Sequence, residues 1–442
     1  MPDEKGNLLA EGKTKRIWEL KGSDREVIVE TKDTITAFDD PTKTRTFATK
    51  AVYSTETTCR VFDFLSKAGI PVAYQRQLSP TEFVALKCKM LPLEAVARRY
   101  GVGSYLKRHP ELCLEQGRLP HRFHRLVVEF FLKTTKGELI GSKGNVLLKG
   151  LDPSKGEEDP LIADPHSIGW QLLHSKKPRW DESAVLGKVS CLDLFKRPPA
   201  ELMGQIEDIL RRVFLVLEGA WKTLGMRFID LKIELGFGPL NQDQNMIYVA
   251  DVIDNDSWRL RDENWQELSK ENFRQGKDLA GVEKDYNIVA DLVNMFRVPS
   301  QVLVLWMGSP KDEKPKVDQY NHHLLGVNIE PVVLSGHKQT RQCLDELELL
   351  MSRYPDGGVI VAKVGRSNGL APILASHTTF PVIATFEEPN EDVWSSIKMA
   401  SSVPLMTAWP EGNAVQAALN ILAQKNPLLY AKMQGDMEKL DI

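Results

Sequence analysis

An α+β unit followed by a doubly wound α/β unit is the fold class this chain predicts, and three observations carry it. The first third mixes strand-like runs with a helical stretch. From about residue 299, uniformly apolar runs alternate with helical patterns, as strands buried on both faces of a parallel sheet do. Between these two grammars a helical stretch ends before Val298-Pro299-Ser300, which sets the expected domains at 1–298 and 299–442. A length of 442 residues suits two or three domains.

In chain order, RIWEL and REVIVET read as strands around a Gly/Lys loop. Thr55 to Ala68 sets Val61, Phe64, Leu65 and Ala68 at helical spacing, closed by Gly69. FVALKCKM reads as a strand ending at the turn-former Pro92, and Leu93 to Lys107 as short helix and turn broken by Gly101 and Gly103. From about 134 to 200, Gly, Pro, Ser and Lys accumulate and periodicity fades, which predicts an inserted loop region with little regular structure. Glu201 to Leu224 reads as a long amphipathic helix. MRFIDLKIELG and NMIYVADVIDND read as a hairpin turning around Asn241 to Asn245, and Gly281 to Phe296 as a further helix. In the last part QVLVLWMGS, NIEPVVLSG, GGVIVAKVG and FPVIATF are the strands, and Gln342 to Arg353 the clearest helix.

Composition excludes several classes. A net charge of −3 gives no broad field for a nucleic-acid backbone, and 26% charged residues argue against a disordered chain. No apolar run approaches 18 residues and MPDEKGNLLAEGKTK is too polar for a signal peptide, so the expectation is a cytoplasmic protein with no membrane partner. Cys59, Cys88, Cys113, Cys191 and Cys343 are widely spaced with no CxxC, which predicts reduced thiols. His121, His124, His322 and His323 lack Cys or carboxylate neighbours at metal-ligand spacing.

Several clusters carry chemistry. Glu11-Gly12-Lys13-Thr14-Lys15 can hold a phosphate, with Gly admitting backbone N–H groups and two ammonium groups balancing charge; alone it fits a solvated lysine turn better. Arg98-Arg99, Gly103-Ser104 and Lys107-Arg108 fit either a clamp for a phosphate monoester or a charged helix face. Asp230, Lys232 and Glu234 alternate with Leu231, Ile233 and Leu235, charging one strand face. The acids of Asp251-Val-Ile-Asp254-Asn-Asp256-Ser-Trp-Arg259 interrupt an apolar strand and invite Mg²⁺, while Phe273-Arg274-Gln275 adds an anion-binding fork. In the last part Gly308-Ser309, Ser335-Gly336-His337-Lys338 and Gly365-Arg366-Ser367-Asn368-Gly369 follow successive strands, where parallel sheets bind ligands. His337 is a candidate proton carrier there. Lys398-Met399 has no small β domain around it and is not read as a biotin site.

These residues resemble two families. EGKTK (11–15), TAFDD (36–40), KMLPLE (89–94), RRYGVGSYLKR (98–108), IDLKIELG (229–236), DVIDNDSWR (251–259) and FRQ (273–275) are similar to phosphoribosylaminoimidazole-succinocarboxamide synthetase. MGSPKD (307–312), SGHK (335–338), GRSNGL (365–370), FPVI (380–383) and PEGNAVQAA (410–418) are similar to the animal-type phosphoribosylaminoimidazole carboxylase. Their order resembles the animal bifunctional enzymes of de novo purine synthesis. The resemblance implies an ATP-grasp-like synthetase domain and a three-layer, flavodoxin-like carboxylase domain that builds a homo-octamer. It implies biotin-free addition of CO₂ to aminoimidazole ribonucleotide, then ATP-dependent ligation of the product to L-aspartate. Lys13 and Lys15 would meet ATP phosphates, Lys89 to Leu91 would present backbone groups to adenine, and Glu234 and Asp251 would hold Mg²⁺. Arg98, Ser104 and Arg108 would grip the ribonucleotide phosphate. Lys50, Ser257, Arg259 and Arg274 would bind the imidazole substrate and aspartate, with Asp254 and Lys232 catalytic. In the carboxylase His337 and Lys338 would act on substrate held by Ser309, Asp312, Ser335, Arg366, Ser367 and Asn368.

The chain departs from the family patterns at Ala48-Thr49-Lys50 with Thr55, where only the Lys is kept, and at Lys311, Gly336, Gln339 and Val364. The insert at about 134–200 has no placed counterpart. These departures motivate an alternative, a diverged nucleotide-binding scaffold with the carboxylase activity lost. A third reading, a kinase-like phosphotransferase, needs only the Gly/Lys loop and the acidic motif.

Overall fold

The computed structural model describes residues 3–36, 44–47, 49–112, 119–195, 197–239, 246–276, 278–317, 326–365, 368–388 and 393–440. It divides into two compact units, Met1–Phe296 with Glu438–Ile442, and Arg297–Met437.

The first unit opens with β1 (Lys5–Glu11), β2 (Lys15–Leu20) and β3 (Glu26–Thr31), a short ribbon of β4 (Thr34–Thr36) and β5 (Thr44–Thr46), and α1 (Lys50–Lys67). With β6 (Tyr74–Ser79) and β7 (Glu82–Leu86) these form a five-stranded antiparallel sheet in the order β1-β2-β3-β7-β6. The Gly/Lys loop is the turn between β1 and β2, closed by Gly12 N–H donating to the Lys15 carbonyl.

A larger antiparallel sheet follows. It contains β8 (Lys89–Tyr100), which precedes the one-turn α2 (Ser104–Arg108), and β9 (Arg122–Leu132). Residues 134–200, expected as loop, supply β10 (Leu139–Ile140), β11 (Val146–Leu148), β12 (Leu161–Ala163), β13 (Gly169–Leu173), β14 (Val185–Ser190) and α3 (Cys191–Phe195). After α4 (Pro199–Thr223) come β15 (Arg227–Phe237), β16 (Ile247–Ala250), β17 (Trp258–Arg261), α5 (Glu271–Arg274) and α6 (Leu279–Val293). The sheet runs β14-β13-β12-β9-β8-β15-β16, with β17 also on β15. The predicted hairpin is β15–β16; its turn lies outside the described residues.

Three sequence expectations give way. Leu93 to Lys107 is turn and helix only in its second half, around Gly101, Gly103 and α2; its first half, Leu93 to Tyr100, belongs to β8, paired to β9 on one side and β15 on the other. Sheet neighbours on both edges override the helical preference of Leu, Glu, Ala and Arg. Pro92 does not end a strand but sits inside β8 where the ladder to β15 shifts register, a place that tolerates a residue with no N–H. The insert is ordered because β12 and β13 extend the sheet from β9 and bury Leu161, Ile162, Ala163, Trp170, Leu172 and Leu173. Its Pro/Ser/Gly-rich stretches are the tight turns between short strands, where Asp152 and Asp181 accept the N–H groups of Ser154 and Ser183.

α4 covers one face of the large sheet. Leu202, Met203, Ile206, Leu210, Val213, Phe214, Leu217 and Trp221 recur at helical spacing and are all buried. Phe214 packs on Phe228 at 4.8 Å between ring centroids, and Trp221 on Trp258 at 5.6 Å. The other face carries the charges, so the apolar side of β15 anchors the strand and its polar side is left for chemistry.

The C-terminal end of the chain also belongs to this unit. Arg99 is fully buried, forks onto Glu218 at 2.7 and 2.9 Å, and donates to Glu438 at 2.6 Å. Glu438 in turn accepts the Leu126 N–H at 3.1 Å.

The second unit is β18 (Gln301–Met307), β19 (Val327–Val333), α7 (Thr340–Arg353), β20 (Gly358–Val364), α8 (Leu370–His377), β21 (Val382–Phe386), α9 (Trp394–Ile397), β22 (Leu405–Thr407), α10 (Glu411–Leu422) and α11 (Pro427–Met437). All strands are parallel in the order β19-β18-β20-β21-β22, the flavodoxin-like 2-1-3-4-5 arrangement. Every residue of β18, β20 and β21 is buried. One sheet face packs against α7 and α8 and the other against α10 and α11, which is why these strands read as unbroken apolar runs.

Cys59, Cys88, Cys191 and Cys343 are free thiols; Cys113 lies outside the described residues. Among the described residues no helix is long and apolar enough to cross a membrane. Glu438→Gln leaves Arg99 its fork on Glu218, so the expected cost is at or below the low end for breaking a buried pair, roughly 2–3 kcal/mol. Differential scanning calorimetry should show the first unit's transition lowered by roughly 5 °C, with the second unit's transition unmoved.

Candidate functional site

β8 and β15 build the first site. Asp230, Lys232 and Glu234 share one face of β15, and Glu94, Val96 and Arg98 share the matching face of β8. In register Asp230 opposes Arg98, but Glu234 directly opposes Glu94. Like charges facing each other across a ladder are unfavourable. They are held by lysines: Lys232 donates to Glu94 and Lys133 to Glu234, each at 2.7 Å.

β16 pairs with one end of β15 and β17 with the other, so residues 251–257 loop out of the sheet edge between them. The Lys232 N–H donates to the Ser257 carbonyl and fixes the loop's return. Asp251, at φ +64°, adopts a backbone conformation uncommon for a residue with a Cβ. It ion-pairs with Lys15 from the Gly/Lys loop, joining the two sheets. Asp254 is buried and accepts the Asp256 N–H at 2.9 Å. Asp256 is paired with Lys270 at 3.1 Å, with the buried Lys50 at 3.5 Å, and with the Tyr286 hydroxyl.

Two adjoining cavities open over these residues. One of about 510 Å³ is lined by Lys13, Lys15, Lys50, Lys133, Glu234, Asp251 and Asp254. The other, about 340 Å³, is lined by Arg98, Ser104, Asp230 and Arg259. Glu94, Asp159, Lys232, Asp256, Ser257 and Arg274 line both.

The electrostatics separate the acids. Burial, and then the charge on Asp251, raise the Glu234 carboxyl. Burial would raise Asp251 too, but Lys15, with Lys133 and Lys232, holds it below the usual range. Burial and the neighbouring Asp256 raise Asp254, whereas Lys270 and Lys50 overcome burial at Asp256 and keep it ionised. Burial opposes the charge on Lys232, yet Glu94 and Glu234 lift it above the normal lysine range. No group of three or more His, Cys, Asp or Glu poised for a metal occurs among the described residues. Glu234 and Asp251 alone offer a pair of hard oxygen donors, which suits Mg²⁺ completed by waters and phosphates.

Not every predicted residue enters the site. Arg108 is buried, paired with Glu129 and donating to the Ser175 carbonyl, so its guanidinium is committed to the fold and is not free for a phosphate. Arg98 still lines the cavity but is tied to Glu129 at 2.8 Å and Asp230 at 2.6 Å. Lys89 is exposed and Leu91 buried at the start of β8, and neither lines these cavities. Sequence reasoning missed Lys133, Lys270, Tyr286 and Asp159 as site residues. Lys133 and Lys270 are single lysines with no local pattern. Asp159 lies in the stretch read as loop; burial pushes its carboxyl up to about 6, against a hydrogen bond from the Thr134 N–H.

The second site sits at the carboxyl ends of β18, β19 and β20. The Ser309 N–H donates to Asp312 at 2.9 Å, turning that loop back on itself. Ser335 donates its N–H to the Gln339 side chain at 3.1 Å. The 335–338 loop packs directly on the start of α8. A Cβ at Gly336 would lie 2.6 Å from the Leu370 Cα, and one at Gly369 would lie 2.1 Å from the His337 ring. Only glycine fits at 336, where the neighbour is backbone, whereas a side chain at 369 would displace the His337 ring. His337 and Lys338 are exposed. Asn368 is a structural residue here: its amide donates to Ser396 at 2.6 Å and its carbonyl caps the Ala371 N–H at 3.0 Å. Arg366 and Ser367 lie outside the described residues.

Comparison with known proteins gives two family matches. The SAICAR synthetase family model matches residues 8–143 and 180–292, and the AIR carboxylase family model matches 301–441. The "Probable multifunctional protein ADE2" of Caenorhabditis elegans is 32% identical over 445 residues, covering 96% of this chain and 92% of that protein. The bifunctional phosphoribosylaminoimidazole carboxylase/phosphoribosylaminoimidazole succinocarboxamide synthetase of Rattus norvegicus is 32% identical over 456 residues, covering 97% and 93%. A phosphoribosylaminoimidazole-succinocarboxamide synthase of Chloroflexus aurantiacus is 33% identical over 300 residues, covering 66% and 98%.

A carboxyl lifted from 3.8 to about 6 binds its proton more tightly in the folded state. Its contribution is therefore present below pH 4 and is lost as pH rises from about 4 to about 6, by roughly 2–3 kcal/mol. Asp159→Asn should leave urea stability at pH 4 unchanged and raise it by roughly 2 kcal/mol at pH 7.5.

Proposed function

The chain belongs to the family of bifunctional phosphoribosylaminoimidazole carboxylase/succinocarboxamide synthetases, and from that premise we propose how its own residues divide the two reactions. In the second unit, aminoimidazole ribonucleotide takes up CO₂ at a ring carbon without biotin. The ring carbon bonds to the CO₂ carbon and then loses its proton to His337, which stands over Gly369 at the strand ends. Lys338, Ser309, Asp312 and Ser335 hold the phosphate and nascent carboxylate, with Arg366, Ser367 and the backbone around Asn368. Lys311 is an exposed residue of the Ser309–Asp312 turn, its N–H donating to the Ser309 hydroxyl at 3.2 Å.

In the first unit, the carboxylate oxygen attacks the γ-phosphorus of ATP and ADP leaves. The aspartate amine then attacks the acyl phosphate carbon, phosphate leaves, and the amine's proton passes to a carboxylate. Asp159 and Asp254 are the acceptors, since burial gives both a raised affinity for a proton. Lys13 and Lys15 meet the nucleotide phosphates, with adenine beyond them toward Lys89 and Leu91. Arg98, Ser104, Ser257, Arg259 and Arg274 hold the ribonucleotide and aspartate, and Lys50 and Lys232 offset their carboxylates. Glu234 and Asp251 would hold Mg²⁺, whose chemistry here is to neutralise developing phosphate charge.

One observation carries this reading above the others: the Lys15–Asp251 pair brings the Gly/Lys loop to the same acids that Lys133 and Lys232 balance. That joins a nucleotide-phosphate end to a ribonucleotide end in one basin. A homo-octamer built through the second unit is part of the proposal. Exposed Trp394, Ile397, Met406 and Trp409, carried on α9, β22 and the turn after it, support it as apolar surface for other copies.

The two halves are separable by substitution. Asp251→Asn should lower ATP- and Mg²⁺-dependent synthesis of the aspartyl amide by at least roughly 100-fold and leave carboxylation unchanged. His337→Asn should do the reverse, with roughly 100- to 10,000-fold loss of carboxylation. Both rates are read on one preparation, and a parent lacking either rate would refute that half of the assignment.

A further inference from the structure

The family match stops at residue 143 and resumes at 180, yet the segment between supplies part of the first unit's cavity. Pro153, Gly156, Ser175 and Lys176 line the 340 Å³ basin beside Arg98 and Ser104. Among the described residues every other cation of that basin is committed: Arg98 to Glu129 and Asp230, Lys232 to Glu94, Arg259 to Asp230, Arg274 to Glu271. Lys176 is exposed at the rim, and its ammonium has no carboxylate partner among the described residues.

Its backbone is nonetheless fixed. The Lys176 N–H donates to His174 Nδ1 at 3.0 Å, so His174 carries its proton on Nε2, which donates to the Lys155 carbonyl at 3.1 Å. The buried His174 ring thus clasps the turn at 153–156 to the turn at 174–176. The Ser175 carbonyl between them accepts from Arg108. One short stretch therefore withdraws the arginine that the resemblance would offer to a phosphate, by way of the Ser175 carbonyl, and sets the next residue, Lys176, on the lining of the basin.

We infer that Lys176 is the phosphate-recognising cation of the ribonucleotide pocket, a specificity residue delivered by the inserted hairpin in place of Arg108. The inference rests on the ribonucleotide reading of the first unit. Its ligand is a phosphate monoester carried on a ribose, gripped by Lys176 and the Ser104 hydroxyl, with the ion-paired Arg98 beside them.

The test uses the full chain with Lys176→Met and Lys176→Arg. Steady-state rates are measured with carboxyaminoimidazole ribonucleotide, ATP and aspartate varied in turn. Binding of the ribonucleotide and of its phosphate-free ribonucleoside is measured by calorimetry. Lys176→Met should raise the ribonucleotide KM roughly 10- to 100-fold, the worth of one charged hydrogen bond, with kcat and the other two KM values within twofold. Its preference for nucleotide over nucleoside should shrink by the same factor, and Lys176→Arg should restore most of it. A ribonucleotide KM within twofold of the parent would overturn the inference, as would equal weakening toward nucleotide and nucleoside. A parent that prefers the nucleotide through Lys176 but makes no aspartyl amide would sink the synthetase reading and leave the clamp standing. A parent indifferent to the phosphate would sink the clamp.

Discussion

The first unit is organised around the charged face of two adjacent antiparallel strands. Glu94 and Glu234 stand opposite each other in register, an arrangement that costs energy unless cations intervene. Lys232 and Lys133 intervene, and Lys15 does the same for Asp251. Those three lysines come from different parts of the unit. One lies on β15 itself, one just past the end of β9, and one at the first residue of β2. The pairing therefore pins three parts of the unit to one basin. A bound cation with its phosphates would enter a place already balanced for charge, exchanging partners rather than creating them.

The apolar face of the same strands makes this affordable in stability. α4 buries a full stripe against β15 and β8, and the aromatic contacts of Phe214 and Trp221 lock the strand from behind. A rigid back lets the front hold strained chemistry, including the positive-φ Asp251 and the raised carboxyls of Glu234 and Asp254. The second unit distributes its work differently. Its strands are buried on both sides and contribute only their ends, where backbone turns seat His337 on Gly369.

How much was legible in the sequence depended on whether a signal was local. Strand ends with Gly, Ser and His after apolar runs gave the second unit's sheet and its loops directly, because a parallel sheet writes both faces into one pattern. The alternation from Asp230 to Leu235 gave the charged face of β15. Leu93 to Arg99 misled, since its residues favour helix and only two unseen neighbours make it a strand. Residues 134–200 misled in the opposite way: strands of two to six residues between tight turns leave no periodicity long enough to detect. Arg108 had the composition of a ligand, but its role was decided by Glu129 on β9 and a carbonyl 67 residues away. Pairings of that kind are set by tertiary structure alone.

The burial of Arg99 against Glu438 bears on how the chain is made. The two residues are separated by 339 positions, so the guanidinium is synthesised long before its second carboxylate exists. At roughly 5–20 residues per second, a growing chain waits about 20–70 s for that partner. The first unit's strands can assemble on the ribosome with Glu218 in place, and the Glu438 contact closes only once residue 438 has emerged. The Arg99 guanidinium thus meets Glu218 first, and its contact to Glu438 is a late step in the first unit's folding.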